Sequence, residues 1–415
     1  MAGTRVVSVT YDYYPFDVRV RRLAEAAVDA GHEMDVICIR QEGEAAHETY
    51  NGVTIHRLPI TRGFGQSLPM TALNWLWFTL LAGIYLAWLT PRRRYQVIHA
   101  HNMPDFVVFS ALIPKLFGAR VILDVQDVSP ELLTAKAGGH ERKLTRRIAE
   151  LQERLSTSFA DIVVTVGWPF ERKLLERGTP HEKLRIIINS ADPKIFPAEK
   201  RFVADEALRP VTPPHDETTP FIIMYWGTLA QRNGLATAIR ALALARREAP
   251  ALRLDIMGRG EDVPRLQALA EAEGVVDAVS FTGPAPAERI VDFIVHGDVG
   301  VIPYTVDGFA DLVLPTKAYE LAWLGRPIIA SDTPAIRSMF RPESIMLCQP
   351  DRPEEFARAF VDLYHHPEKR RAMVANAQED YEPYRWETMA RQYASLLTWL
   401  ASAPRAALRV RPEAA

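Results

Sequence analysis

Leu314–Ser331 reads L-P-T-K-A-Y-E-L-A-W-L-G-R-P-I-I-A-S, and its reading decides the fold. Pro315 suits the first turn of a helix, where its missing N–H is not needed. Tyr319, Leu321, Ala322 and Leu324 then give an apolar helical run. Gly325 is a natural stop, with Pro327 just beyond it. Ile328-Ile329-Ala330 follows as a short buried strand. A helix leading into a buried strand is the unit of an α/β layer. Thr316 and Lys317 occupy the first helical turn, where unpaired N–H groups and the helix dipole attract anions. Glu320 lies four residues after Thr316, on the same face. An anion-attracting helix start, a lysine and a carboxylate one turn later suit a nucleotide diphosphate and its ribose. An ordinary capped helix with solvated Lys and Glu fits the spacing as well.

Working outward, the same alternation recurs. Arg5–Thr10 (RVVSVT) reads as a strand, Asp17–Ala30 as the helix after it, and Glu33–Ile39 as a second strand. That βαβ opening implies a parallel sheet, whose ligands bind at the carboxyl ends of the strands. Later strands are expected at Tyr95–His101, Val121–Asp127, Ile162–Val166 and Lys183–Asn189. Phe221–Trp226, Arg253–Met257, Val279–Gly283 and Val299–Pro303 repeat the pattern. Between these two series, Phe202–Pro220 is polar, proline-rich and aperiodic, as a linker would be. Two domains therefore follow, at 1–197 and 198–385. Trp386–Leu400 forms a last amphipathic helix within a segment at 386–403, and a disordered tail is expected at 404–415.

A chain of 415 residues is long enough for two such domains. A net charge of −2 excludes a general nucleic-acid binder. Cys38 and Cys348 match no metal or disulfide spacing, which points to a reducing compartment. The first residues lack the apolar core of a secretory leader, so a cytoplasmic protein is expected. Leu68–Leu89 is 22 nearly uncharged residues followed by Arg92-Arg93-Arg94. Three readings stay open: a membrane span, a long core helix, or a helix that also docks on a membrane surface through 68–94.

Polar residues gather where strands end. After the first strand comes Y-D-Y-Y-P-F-D, including Tyr14, then Arg19, Arg21 and Arg22. The loop is either packed by its own aromatics or is a wall whose arginines meet an anionic acceptor. His101 and Asn102 follow one strand; Asp127 and Glu131 follow another. His99 and His101 point the same way from one strand, yet no third metal ligand is evident. In the second half, Gly227-Thr228-Leu229-Ala230-Gln231-Arg232-Asn233-Gly234 links a strand to a helix, as a phosphate cradle does.

The run P-T-K-A-Y-E-L-A-W-L-G-R-P-I-I-A-S resembles the donor-site helix of retaining glycosyltransferase family 4, in its P-x-K-x-x-E branch. The better-known branch carries a glutamate eight residues before Glu320; Leu312 stands there here. The G-x-L-x-x-x-x-G run matches the family's donor-phosphate loop, with Thr228 and Asn233 where arginine and lysine are usual. Arg232 sits between them. H-A-H-N-M-P and D-x-x-D-x-x-P-E resemble the family's acceptor-side motifs, with Gln126 in place of a usual histidine. N-S-A-D-P-x-x-F at Asn189–Phe196 resembles its interdomain loop.

The resemblance covers about residues 5–400. It implies an α/β chain of GT-B architecture: two Rossmann-like, doubly wound parallel-sheet domains facing a cleft. The first would bind the acceptor through Tyr14, Arg19, Asn102, Asp127 and Glu131. The second would bind a UDP- or GDP-sugar through Gly227, Thr228, Arg232, Gly258, Arg259, Pro284, Asp307, Phe309, Thr316, Lys317 and Glu320. Arg232 and Lys317 would stabilise the departing diphosphate, with no metal or other cofactor, and His101 would orient the sugar. The acceptor would be a glycan or lipid-linked saccharide of the cell envelope. The same architecture serves sugar-nucleotide epimerases, and a non-catalytic nucleotide-sugar-binding subunit is the third reading.

Overall fold

The computed structural model describes residues 3–62, 68–136, 143–202, 220–305 and 311–404. Asp307, Phe309, most of the expected linker and the expected tail lie outside the described residues. The chain forms two compact units, one of Met1–Asn189 with Glu387 onward, the other of Ser190–Trp386. The break falls at Asn189/Ser190 because the next residues pack into the second unit: the Trp323 indole donates to the Phe196 carbonyl at 2.8 Å.

In the first unit the strands are β1 (Arg5–Tyr13), β2 (Glu33–Ile39), β3 (His47–Tyr50), β4 (Val53–Leu58), β5 (Val97–His101), β6 (Arg120–Val125), β7 (Ile162–Thr165) and β8 (Leu184–Ile186). They lie in the order β3-β4-β2-β1-β5-β6-β7-β8. All pairings are parallel except β3 with β4, a hairpin closed by Asn51-Gly52. The central strands are almost wholly buried, so they read as continuous apolar runs. The helices are α1 (Val18–Asp29), α2 (Leu68–Arg93), α3 (Leu112–Leu116), α4 (Ser129–Lys136), α5 (Lys143–Phe159) and α6 (Trp168–Glu176). The Asp17 carboxylate caps α1, accepting from the Arg19 and Val20 N–H groups.

In the second unit the strands are β9 (Phe221–Thr228), β10 (Leu252–Arg259), β11 (Val279–Gly283), β12 (Val299–Ile302), β13 (Ile328–Ser331) and β14 (Met346–Cys348). The order is β11-β10-β9-β12-β13-β14, and every pairing is parallel. Its helices are α7 (Leu235–Ala245), α8 (Val263–Ala272), α9 (Ala287–His296), α10 (Thr316–Leu324), α11 (Pro334–Arg337), α12 (Pro353–His365) and α13 (Pro367–Tyr381). The last helix, α14 (Trp386–Ser402), returns to the first unit, where Tyr393 donates or accepts across 2.8 Å to His99 Nδ1.

Each sheet has one place where the strand order reverses. In the first unit β1 lies between β2 and β5; in the second β9 lies between β10 and β12. Loops after these strands diverge there, and doubly wound sheets bind ligands at the carboxyl edge of such points.

Candidate donor and acceptor sites

In the second unit the carboxyl edge is floored by glycine. Gly227 and Gly258 are paired in register on β9 and β10. Gly227 has φ +123°, and a β-carbon there would lie 3.0 Å from Lys317 Nζ. A β-carbon on Gly258 would strike the Gly227 carbonyl oxygen at 1.8 Å. Only glycine lets these two backbones and the lysine approach so closely.

α10 begins at Thr316, with Pro315 as its N-cap residue and Gly325 closing it in the left-handed region at φ +71°. Thr316 is exposed and Lys317 half-buried. The Lys317 ammonium stands 4.9 Å from the Tyr225 ring centre and 6.0 Å from that of Tyr304. Burial acts to lower its pKa, but Tyr304, Tyr225 and Glu320 outweigh it, so the pKa rises and the amine stays charged. Trp226 Nε1 donates to Glu320 Oε2 at 2.8 Å, fixing that carboxylate beside the lysine.

Arg232 is exposed in the turn Gln231–Asn233 between β9 and α7. Its carbonyl accepts from both the Thr305 N–H and the Thr305 hydroxyl at 3.1 Å, tying the loop after β9 to the loop after β12. Arg232, Thr228, Ala230, Gln231 and Thr305 line a hollow of about 700 Å³, with Glu261 and Asp351 also on its wall. The Thr228 carbonyl accepts from the Tyr225 hydroxyl at 2.8 Å and from Asn233 Nδ2 at 2.6 Å, which pins the loop's shape. Burial pushes the Tyr225 phenol up to about 12, while Lys317 and Arg232 pull it down. One tyrosine thus feels both cations. Arg259 ends β10 and Pro284 follows β11, both exposed at the neighbouring edge.

Sequence reasoning passed over Tyr225, Trp226, Tyr304 and Thr305. Tyr225 and Trp226 read as mere strand residues, and only the fold brings Tyr304 to them. Glu261 and Asp351 in the hollow were likewise outside the expected set.

In the first unit the polar residues at the sheet edge are mostly committed to one another. Arg19 is buried and bidentate to Asp124, Nε to Oδ2 at 2.8 Å and Nη2 to Oδ1 at 2.7 Å. Its Nη1 donates to the Ile187 carbonyl and to Asn189 Oδ1. His101 is fully buried, with Nδ1 3.0 Å from Asp124 Oδ2 and Nε2 3.1 Å from Ser8 Oγ. Burial alone would raise the Asp124 pKa, but Arg19 and His101 hold its carboxyl far below the usual range. His99, His101 and Asp124 have ligand atoms within 4.8 Å of one another. Arg19 already occupies both carboxylate oxygens and His101 bonds one of them, while His99 turns its Nδ1 to Tyr393.

Three expectations are therefore corrected. Arg19 does not reach outward to an acceptor, because Asp124 draws its guanidinium into the sheet edge. His101 does not point a free nitrogen at a sugar, because Asp124 and Ser8 take both. Tyr14 is fully buried behind the loop it was expected to line. Asn102 is a clamp between β5 and β6: its Nδ2 donates to Asp105 Oδ1 at 2.8 Å and to the Asp127 carbonyl at 2.7 Å, and its Oδ1 accepts from the Gln126 N–H at 2.8 Å. Glu131 pairs with Arg177, which also holds Glu153 at 2.7 Å. Asp127 and Gln126 remain half-buried at the edge of β6.

Residues 17–190 match the family model "Glycosyl transferase 4-like domain", and residues 212–380 match "Glycosyl transferases group 1". The chain is 24% identical to a D-inositol 3-phosphate glycosyltransferase of Paenarthrobacter aurescens over 384 residues, 90% of each chain. Its fold is similar to that of the sucrose-phosphate synthase of Thermosynechococcus elongatus, with a TM-score of 0.75, 19% identity and coverage of 97% of this chain and 100% of the other. It is also similar to Anabaena HepE solved with UDP-glucose, with a TM-score of 0.65, 14% identity and coverage of 95% and 99%. Two doubly wound α/β sheets and two glycosyltransferase domains matched in tandem lead to one conclusion: this chain is a glycosyltransferase of the GT-B type, with a 4-like first domain and a group 1 second domain.

Proposed function

We propose that the chain transfers a glycosyl group, with retention, from a nucleoside diphosphate sugar to a hydroxyl acceptor, without a divalent metal. The observation that carries this reading is the Lys317 ammonium, held charged against Tyr225 one β-carbon's breadth from Gly227, with Arg232 acting on the same tyrosine. A pyrophosphate laid on Gly227–Thr228 meets both cations and the N-terminus of α10. As the bond from the anomeric carbon to phosphate breaks, negative charge grows on the diphosphate, where these groups stabilise it. The anomeric carbon then bonds to the acceptor oxygen from the same face, and the acceptor's proton passes to the leaving phosphate. Glu320, oriented by Trp226, accepts hydrogen bonds from the ribose diol. The ends of β10 and β11, at Gly258, Arg259 and Pro284, face the nucleoside.

The HepE likeness favours a uridine nucleotide over guanosine. A cell-envelope glycan or lipid-linked saccharide is the proposed acceptor, reached from the cytoplasmic side; the free buried thiols of Cys38 and Cys348 suit that compartment. A thermal-shift panel of UDP-, GDP-, ADP- and dTDP-sugars identifies the donor, and NMR of the product reports its anomeric configuration. Inversion refutes retention. Epimerised donor formed without acceptor favours an epimerase, and binding without turnover for every acceptor tried favours a non-catalytic subunit.

A further inference from the structure

The helix α5 is built inside out. It buries Glu153, Ser156 and Thr157, while Leu144, Ile148, Leu151 and Leu155 are each more than half exposed. Their spacing of four, three and four residues makes one continuous apolar stripe. α2 carries a second stripe. Phe78, Ala82, Leu86 and Leu89 are buried against the domain, while Leu76, Trp77, Leu80, Ile84 and Trp88 are exposed on the other side. Between them, the segment Asp105–Leu116 packs against both helices and ends in exposed Leu112, Leu116 and Phe117. Among the described residues, three adjacent segments thus leave one apolar face without a covering element. Isolated exposed apolar residues are ordinary, but a contiguous face of this extent marks an interaction surface.

The charges on this face decide what covers it. α2, Asp105–Leu116 and α5 carry seven basic residues against three acidic, and Asp105 and Glu153 among the acids are buried. Arg94 follows α2 directly. α2 holds no acidic residue, and its Arg92 guanidinium lies 4.4 Å from the Trp88 ring centre. A hollow of about 550 Å³ opens where α2 and α3 end, with Arg94, Phe117 and Arg120 on its wall. The chain as a whole is slightly acidic, whereas these three segments carry a basic excess. A twofold contact between two copies sets like patches against each other and would crowd these arginines. An anionic bilayer accepts both the leucines and tryptophans and the basic rim.

We infer that the first domain docks on an anionic lipid surface through the α2–α3–α5 face, lying in the interface without spanning it. α2 is long and apolar enough to cross a membrane, but it packs on Asp105–Ala111, β1 and β4 of its own domain, which a spanning helix cannot do. This inference does not rest on the proposed transfer reaction.

Flotation of the full chain with phosphatidylcholine vesicles, with and without phosphatidylglycerol, tests it. The expected result is co-flotation with the anionic vesicles, weakened by salt. Trp77→Glu with Leu80→Glu, and separately Ile148→Glu with Leu151→Glu, should each lower the bound fraction on the order of tenfold or more, with melting temperature unchanged. Arg92→Gln with Arg147→Gln should remove only the preference for anionic lipid. Absence from both vesicle types overturns the inference. So does resistance to carbonate extraction, the mark of a spanning helix, or a concentration-dependent dimer broken by the same glutamates, the mark of a second copy.

Discussion

The ammonium of Lys317 lies 4.9 Å from the ring centre of Tyr225, and the hydroxyl of that tyrosine donates to the Thr228 carbonyl at 2.8 Å. One side chain therefore supports the lysine with its ring and hydroxyl and shapes the glycine loop with the same oxygen. Tyr225→Phe keeps the ring and should lower kcat/KM only severalfold. Tyr225→Ala removes the cation–π support as well, worth on the order of 1 kcal/mol, and should cost clearly more. Steady-state kinetics on both variants separates the two contributions.

Loss of either cation should damage the chemical step. Lys317→Ala and Arg232→Ala are each expected to lower turnover by about 10²-fold, the scale of removing one charge-stabilising donor. Arg232 is exposed and, among the described residues, Lys317 bonds no main-chain group, so far-UV circular dichroism should be unchanged.

Gly227→Ala tests the approach of backbone to lysine. Its φ of +123° strains an alanine by about 1–3 kcal/mol, and the new methyl presses on Lys317 Nζ. Both melting temperature and donor affinity should fall. Gly43→Ala is the control: φ is +85°, but nothing lies within 4 Å of the added carbon. It should lose stability alone, with donor KM unchanged.

Glu153 should contribute stability to the first domain that is lost as pH rises from about 4.5 to about 7, against the opposite trend set by the buried His99. Burial, with help from Asp105 and Glu131, pushes the Glu153 carboxyl up to about 7 despite Arg177. Its folded pKa exceeds the unfolded value, so its contribution is fully present below the unfolded pKa and is lost as pH climbs through the folded one. Roughly 3 kcal/mol is at stake over this window, at 1.36 kcal/mol per unit. Urea unfolding of Glu153→Gln should show a flatter pH dependence than the unaltered chain across that range.

The alternation of apolar runs and helical periods made both sheets legible, and most expected strands appear within a residue or two. Tyr95–His101 is strand from Val97, and Lys183–Asn189 is strand only over Leu184–Ile186. The hairpin at Asn51-Gly52 carried its own turn signal and was passed over. The helix start at Thr316, its stop at Gly325 and the glycine loop were legible because local backbone chemistry sets them. The acceptor side was not. Whether Arg19 faces outward or turns in to Asp124, 105 residues away, is a long-range matter that no local pattern encodes. The same holds for His101, whose partners Ser8 and Asp124 come from the two flanking strands. The exposed stripe of α5 was invisible for the opposite reason: amphipathic periodicity marks an apolar face but not whether protein covers it.

The most direct test is calorimetric titration of UDP into the unaltered chain and into Lys317→Ala, with EDTA present throughout. The unaltered chain should bind in EDTA, and the variant should bind at least about tenfold more weakly, the scale of a lost charged hydrogen bond. Equal affinity in both, or binding by the unaltered chain only after magnesium is added, would contradict a pyrophosphate site made from protein cations.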